Sequence, residues 1–297
     1  MPLFKYMSAE VASLFAKTLN VRFTQPSELN DPFELRPLID FEGTATEFRG
    51  EIDARLTAQY GTVDAALDMV EKQQRTDPNY PKLAAPIQVF RRMILADPTL
   101  QRQFMAELQR HKAELLDAIK WEVQWEKVQE FFGQALGILS LTEDPAHVLM
   151  WSHYASQHQG IVVEFDEQNS WFDQKLAPAD EFRHLVKVTY ITDPHPRTWK
   201  QLNGFDIFYT KGADWSYEKE WRIIRPLKDG AAISPTVFCF EVPPAVVTGL
   251  IFGCRTAPAL EAELRGAVAD RLALNHVRFK RAKLVGGGRI EIVDAVP

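Results

Sequence analysis

Cysteine is scarce in this 297-residue chain: only Cys239 and Cys254 occur, in neither a CxxC nor a Cys/His zinc spacing. That pattern excludes a disulfide scaffold and a zinc module, and it sets the expectation of a reducing, cytoplasmic location. Long apolar runs are missing too. No stretch of about 18 apolar residues occurs, so no membrane span is expected. The opening MPLFKYMSAE lacks a charged-then-apolar segment, and no secretory signal is expected. Glycine loops that cradle phosphates are also missing: there is no GxGxxG after a strand and no GxxxxGK[ST]. A net charge of −6 argues against broad, sequence-independent nucleic-acid binding. Nothing repeats at a fixed period. What is present is an ordinary globular composition, 46% hydrophobic and 25% charged.

The first forty residues read as strand, helix, strand. Leu3, Phe4 and Tyr6 mark an apolar start, and Ser8 caps a helix carrying a Val11, Leu14, Phe15 stripe. Asn20 breaks that helix, and Val21 to Thr24 alternates as a strand. The loop Leu29-Asn30-Asp31-Pro32-Phe33-Glu34 follows, its Asn-Asp-Pro signalling a turn. From Thr44 to Phe132 glycine thins out and helix formers dominate. Asp77-Pro78 and Asp97-Pro98 each read as N-cap and first helical position, within a block of three to five helices.

Strand signals return at Gly137. Strands are expected at Ile138–Thr142, Ile161–Phe165, Leu185–Ile191, Trp221–Ile224, Val237–Val242, Gly249–Phe252, Val277–Phe279 and Ile290–Ile292. Asp144-Pro145 opens a helix that holds Met150, Trp151 and Tyr154 and stops at Gly160, a second helix covers Ala257 to Leu272, and Gly286-Gly287-Gly288 is a turn. The expected architecture is one α+β domain. Its mixed β core is formed by 1–43 and 133–297, with a helical insertion at 44–132 between the second and third core strands. That insertion either caps a cleft, offers a partner surface or forms a homo-oligomer; its apolar stripes fit all three.

Three clusters carry the chemistry. The first joins Lys5-Tyr6 with Arg22 and the loop containing Asn30. The second joins Ser140 and Thr142, on one strand face, with the helix bearing Trp151, His153 and Tyr154. The third is Tyr217-Glu218-Lys219-Glu220-Trp221-Arg222. In an extended chain Glu218 and Glu220 share a face and Lys219 points the other way. Paired carboxylates suit acid/base work or the stabilisation of a cation such as an oxocarbenium ion. The plainer alternative is a solvated rim with Glu220 pairing Arg222. For Ser140 and Thr142 it is the polar side of a half-buried strand. For Trp151 and Tyr154 it is core packing. His153 and His158, five apart, give no metal or triad spacing.

Two resemblances follow from these motifs. LNDPFE, MWSHYA and YEKEWR resemble an uncharacterised bacterial family catalogued as a domain of unknown function, over most of the chain outside the helical block. More distantly, the order of a basic first strand, a Ser-x-Thr strand and an ExE motif resembles the mono-ADP-ribosyltransferase fold. That resemblance implies a split, curved β core with NAD as substrate in its cleft and no metal. Carried over, Ser140 supports the nicotinamide-side ribose, Glu220 is the catalytic carboxylate and Glu218 faces the acceptor. Lys5, Tyr6, Arg22, Asn30, Thr142, Trp151, His153, Tyr154, Tyr217 and Arg222 complete the expected binding set. The departures are Lys5-Tyr6 where the family has Arg or His, and Leu141 in the middle of the Ser motif. The function implied is ADP-ribosyl transfer to a protein or nucleic-acid acceptor, or NAD glycohydrolysis, in a toxin or phage-defence effector. Two other readings stand beside it. One is a catalytically inactive module that senses a nucleotide or phage component. The other is a metal-dependent nucleic-acid enzyme using Glu218 and Glu220, with Asp31, Glu34 and Glu164 nearby and a basic run from Arg278 to Lys283.

Overall fold

The computed structural model describes residues 1–76, 78, 80–202 and 205–295. Strand β1 (Leu3–Met7) is followed by helix α1 (Ala9–Thr18) and strand β2 (Asn20–Phe23). Ser8 caps α1 by accepting the Val11 N–H at 3.3 Å. The helix buries Ala12, Phe15 and Ala16, whereas Val11 and Leu14 of the expected stripe are exposed. The face is turned because small alanines let α1 lie close to its neighbours. Leu19, in the left-handed conformation, ends the helix, and Asn20 already belongs to β2.

Five helices follow: α2 (Phe41–Tyr60), α3 (Val63–Gln74), α4 (Tyr80–Ala96), α5 (Pro98–Asp117) and α6 (Trp121–Ala135). Asp97 caps α5 through the Thr99 N–H at 2.7 Å, with Pro98 in the first helical turn. Asp77 lies outside the described residues. The block therefore begins and ends a few residues beyond the expected 44–132.

The strand-rich remainder holds β3 (Leu136–Thr142), helix α7 (Val148–Tyr154), β4 (Ile161–Phe165), β5 (Val186–Lys187), β6 (Thr189–Ile191), β7 (Thr210–Gly212), β8 (Glu220–Pro226), β9 (Ala231–Ser234), β10 (Val237–Glu241), β11 (Val247–Phe252), helix α8 (Pro258–Ala269), β12 (Arg278–Val285) and β13 (Arg289–Asp294). Eight strands form one mixed sheet in the order β13-β12-β11-β4-β1-β3-β8-β5. All its pairings are antiparallel except β11 with β12. A second sheet runs β2-β10-β9, and β6 pairs β7 in parallel. The fold is α+β with a mixed, curved sheet.

Three local expectations are corrected. The strand expected over 185–191 is two, β5 and β6, in different sheets. Helix α7 starts at Val148, not at Asp144. Asp144 instead caps a turn through the Ala146 N–H, and Tyr154 ends the helix. Ser156, Gln157 and His158 then run consecutively through positive φ (48°, 54°, 71°) before Gly160.

Two compact units emerge. One comprises 1–38, 128–195 and 202–297, and the other 39–127 and 196–201. The first carries all the sheets. Its main core gathers Phe15, Phe23, Leu139, Phe165, Phe172, Ile223 and Phe252, and a smaller cluster gathers Phe4, Tyr6, Met150, Trp151, Val162 and Ile251. The second is helical. Among the described residues its buried apolar side chains are Ala45, Ala66, Leu67 and Ile94. No helix among the described residues is long and apolar enough to cross a membrane.

Candidate functional site

A cavity of about 240 Å³ opens in the strand-rich unit. Strands β1, β3 and β8 lie side by side beneath it. Their register sets Thr142 opposite both Phe4 and Glu220, and Ser140 opposite Arg222. Lys5, Tyr6, Arg22, Asn30, Ser140, Thr142, Tyr154, Glu218 and Glu220 line the cavity, together with Glu34, Met150 and Lys211.

The two glutamates meet here for a reason other than strand alternation. Residues Ala213–Glu218 form a 3-10 helix, and Lys219 leaves it at φ 44° with its N–H on the Ser216 carbonyl. Only at Glu220 does β8 begin. The left-handed residue reverses the chain between the glutamates, so the expected extended Glu-Lys-Glu segment is replaced by a corner. Both carboxylates still reach one ammonium: Lys211 Nζ stands 2.7 Å from Glu218 and 3.3 Å from Glu220.

Arg222 lies fully buried below. Its Nε donates to Glu220 at 2.7 Å, a terminal nitrogen donates to the other Glu220 oxygen at 3.0 Å, and its remaining nitrogen donates to the Phe208 carbonyl at 2.7 Å. Glu34 touches Arg222 and stands 3.9 Å from Lys211. Glu220 is therefore no solvated rim charge. It belongs to a buried network in which three carboxylates (Glu34, Glu218, Glu220) face two cations (Lys211, Arg222).

That imbalance shapes the titration. Burial pushes Glu220 above the ordinary glutamate range, and Glu218 adds to the push; Lys211 and the Ser140 hydroxyl oppose it. Burial works against Lys211's charge, yet Glu220 and Glu218 outweigh it and hold the ammonium above its usual value. Burial pulls Arg222 down to about 9, leaving it protonated at neutral pH.

A hydrogen-bond relay enters from the side. Asn30 Nδ2 donates to the Tyr154 hydroxyl at 2.7 Å, and that hydroxyl donates to Glu218 at 2.6 Å. Burial and the Glu218 charge both raise the Tyr154 phenol, so it stays a donor. Thr142 spends its hydroxyl on the Glu218 carbonyl at 2.5 Å. Tyr6 donates to the Asp144 carbonyl at 2.8 Å. Lys5 Nζ donates to the Ser140 carbonyl at 3.0 Å. Arg22 and Glu28, about 40% exposed and 3.8 Å apart, mark the open rim.

Four expected site residues lie elsewhere. Trp151 is buried in the smaller core, its indole N–H held by the Pro145 carbonyl at 2.8 Å. His153 is exposed. Tyr217 stacks on His147 at 5.0 Å. Arg222 sits below the lining and acts through Glu220. Two further aromatics close to the glutamates in sequence also have partners: Trp215 faces Lys211 and Trp221 donates to Glu143. Lys211, at the centre of the network, was not foreseen, because a lysine in Thr-Lys-Gly carries no spacing signal. Among the described residues no group of three His, Cys, Asp or Glu side chains is placed to hold a metal ion. Lys211 and Arg222 already stand between the carboxylates.

Comparison with known proteins adds one match. Residues 150–223 match the sequence profile of a family described as Protein of unknown function (DUF2971). The matched span carries Met150, Tyr154, Lys211, Glu218, Glu220 and Arg222, one wall of the cavity with its support. No curated protein and no solved structure matches the chain.

Proposed function

We propose that the cavity binds NAD and that this chain breaks the nicotinamide–ribose bond, passing ADP-ribose to a protein or nucleic-acid acceptor. Transfer to water would be the glycohydrolase form of the same step. The observation that carries the reading is the meeting of Glu218, Glu220, Ser140, Tyr154 and Lys5 at one partly enclosed cavity. Departure of nicotinamide leaves positive charge on the ribose. A carboxylate fixed beforehand by Arg222 stabilises that charge without having to reorganise. The excess of carboxylates over cations favours a positively charged transition state in the same place. Ser140 is set to steady the ribose, and the Asn30–Tyr154 relay to aim Glu218 at the acceptor. The adenylate end would leave past the rim at Arg22. A cytoplasmic toxin or phage-defence effector is the setting this chemistry suits.

The test is incubation with NAD and detection of free nicotinamide. Wild type should release it, and Glu220→Gln should reduce release by about a hundredfold or more, the size expected for loss of a preorganised charge. Release should also fall as pH drops through a value above the ordinary 4.5 of glutamate, because the ionised carboxylate is required and its pKa is raised. No release with any acceptor, or release unchanged in Glu220→Gln, overturns the reading. One observation favours a binding module instead: Lys211 already satisfies both carboxylates. Calorimetry showing NAD bound while no nicotinamide appears would select that alternative.

A further inference from the structure

The basic side chains held within the fold at the cavity differ in one respect. Lys211 is ion-paired to Glu218 and Glu220, and Arg222 to Glu220. Lys5 is not ion-paired. Its Nζ donates to the Ser140 carbonyl, and no carboxylate among the described residues lies within ion-pairing distance. Lys5 sits on β1, between β4 and β3, and its flanking residues Phe4 and Tyr6 are buried. The backbone that carries it is therefore fixed, and its amine lines a cavity that solvent reaches.

We propose that Lys5 is a reactive amine that captures a small aldehyde or ketone in this cavity as a Schiff base. The proposal does not rest on NAD chemistry. The Ser140 carbonyl accepts a hydrogen bond from a neutral amine as well as from an ammonium, so deprotonation keeps that bond and frees a lone pair. Burial brings the ammonium down to about 8; Glu220 and Glu218 oppose that shift, and Arg22 assists it. At pH 7 about one amine in ten is then neutral, against fewer than about one in a thousand for an ordinary lysine. The nitrogen lone pair forms a bond to the carbonyl carbon, giving a carbinolamine once the ammonium proton has moved to the oxygen. The hydroxyl then leaves as water, taking its second proton from the solvent that reaches the cavity. The carbon–nitrogen double bond forms as it departs. The product is a protonated imine facing the Glu220 carboxylate, and no redox partner is needed.

The experiment treats the full chain with propionaldehyde and sodium cyanoborohydride at pH 7, then maps propylated lysines by peptide mass spectrometry. Lys5 should be labelled roughly tenfold faster than the mean of the other lysines. Its rate should level off near pH 8 while the others still climb. Labelling of Lys5 no faster than the mean, or a Lys5 rate still rising steeply at pH 10, overturns the proposal. These readouts use the wild-type chain, so no variant needs to fold. NAD turnover is not read here, so this result and the nicotinamide result fail independently.

Discussion

Arg222 is the side chain on which the buried carboxylates depend. A buried ion pair costs solvation that its own attraction barely returns, but removing one partner leaves the other charge stranded. Arg222→Met would leave Glu218, Glu220 and Glu34 buried around Lys211 as their one remaining cation in the network. The expected loss is about 3–5 kcal/mol in urea unfolding, far more than the change of shape alone would cost. The reach of a side chain explains why this network was only partly legible. Glu218, Glu220, Ser140 and Tyr154 announce themselves by short motifs, although a left-handed Lys219 and not a shared strand brings the two glutamates together. Lys211 and Glu34 arrive from a short strand and a loop whose positions are set by tertiary packing, and no local spacing records that. Trp151 and His153 share a motif with Tyr154 but sit on other sides of the same helix, so adjacency placed them wrongly.

At the scale of elements, capping was legible and faces were less so. Ser8 and Asp97-Pro98 act through backbone groups two or three residues away, which sequence displays directly. The division of 185–191 into two strands depends on which partners lie alongside, Trp221 and Arg222 for β5 and Thr210 to Gly212 for β6. The left-handed run Ser156-Gln157-His158 also had no local signal, since none of the three is glycine. Such a run persists because its surroundings hold it. The His158 carbonyl accepts the Arg255 N–H at 3.0 Å, and the Gly160 carbonyl accepts the Gly253 N–H at 3.1 Å and the Thr256 hydroxyl at 2.8 Å. Gly253 is required at this seam: a Cβ there would strike the His158 carbonyl oxygen. Gly253→Ala should cost about 1–3 kcal/mol, read from the urea midpoint, as overpacking does elsewhere. An unchanged midpoint would mean that the turn yields without strain.

Across the whole molecule, the two units differ in what they bury. Among the described residues the helical unit buries four apolar side chains, three of them in α2 and α3, in contrast with the two larger core clusters of the strand-rich unit. Local opening follows buried apolar contact, so amides of α3, α4 and α5 should exchange with deuterium well before those of β1, β3, β4 and β11. Equal protection in both sets would show that the helices are stabilised by something other than their own core. The position of β1 in the sheet has a further effect, on the time course of synthesis. Its neighbours β3 and β4 come much later in the chain: Leu136 lies 129 positions after Met7. A ribosome adding about 5–20 residues per second takes roughly 6–26 s to cover that distance. Until then the apolar Leu-Phe-Lys-Tyr-Met segment emerges with both hydrogen-bonding edges open. The strand that ends at the centre of the sheet is thus, for the nascent chain, a waiting hydrophobic stretch. Slower decoding of the helical stretch prolongs that wait and extends the period in which a holding chaperone has something to bind.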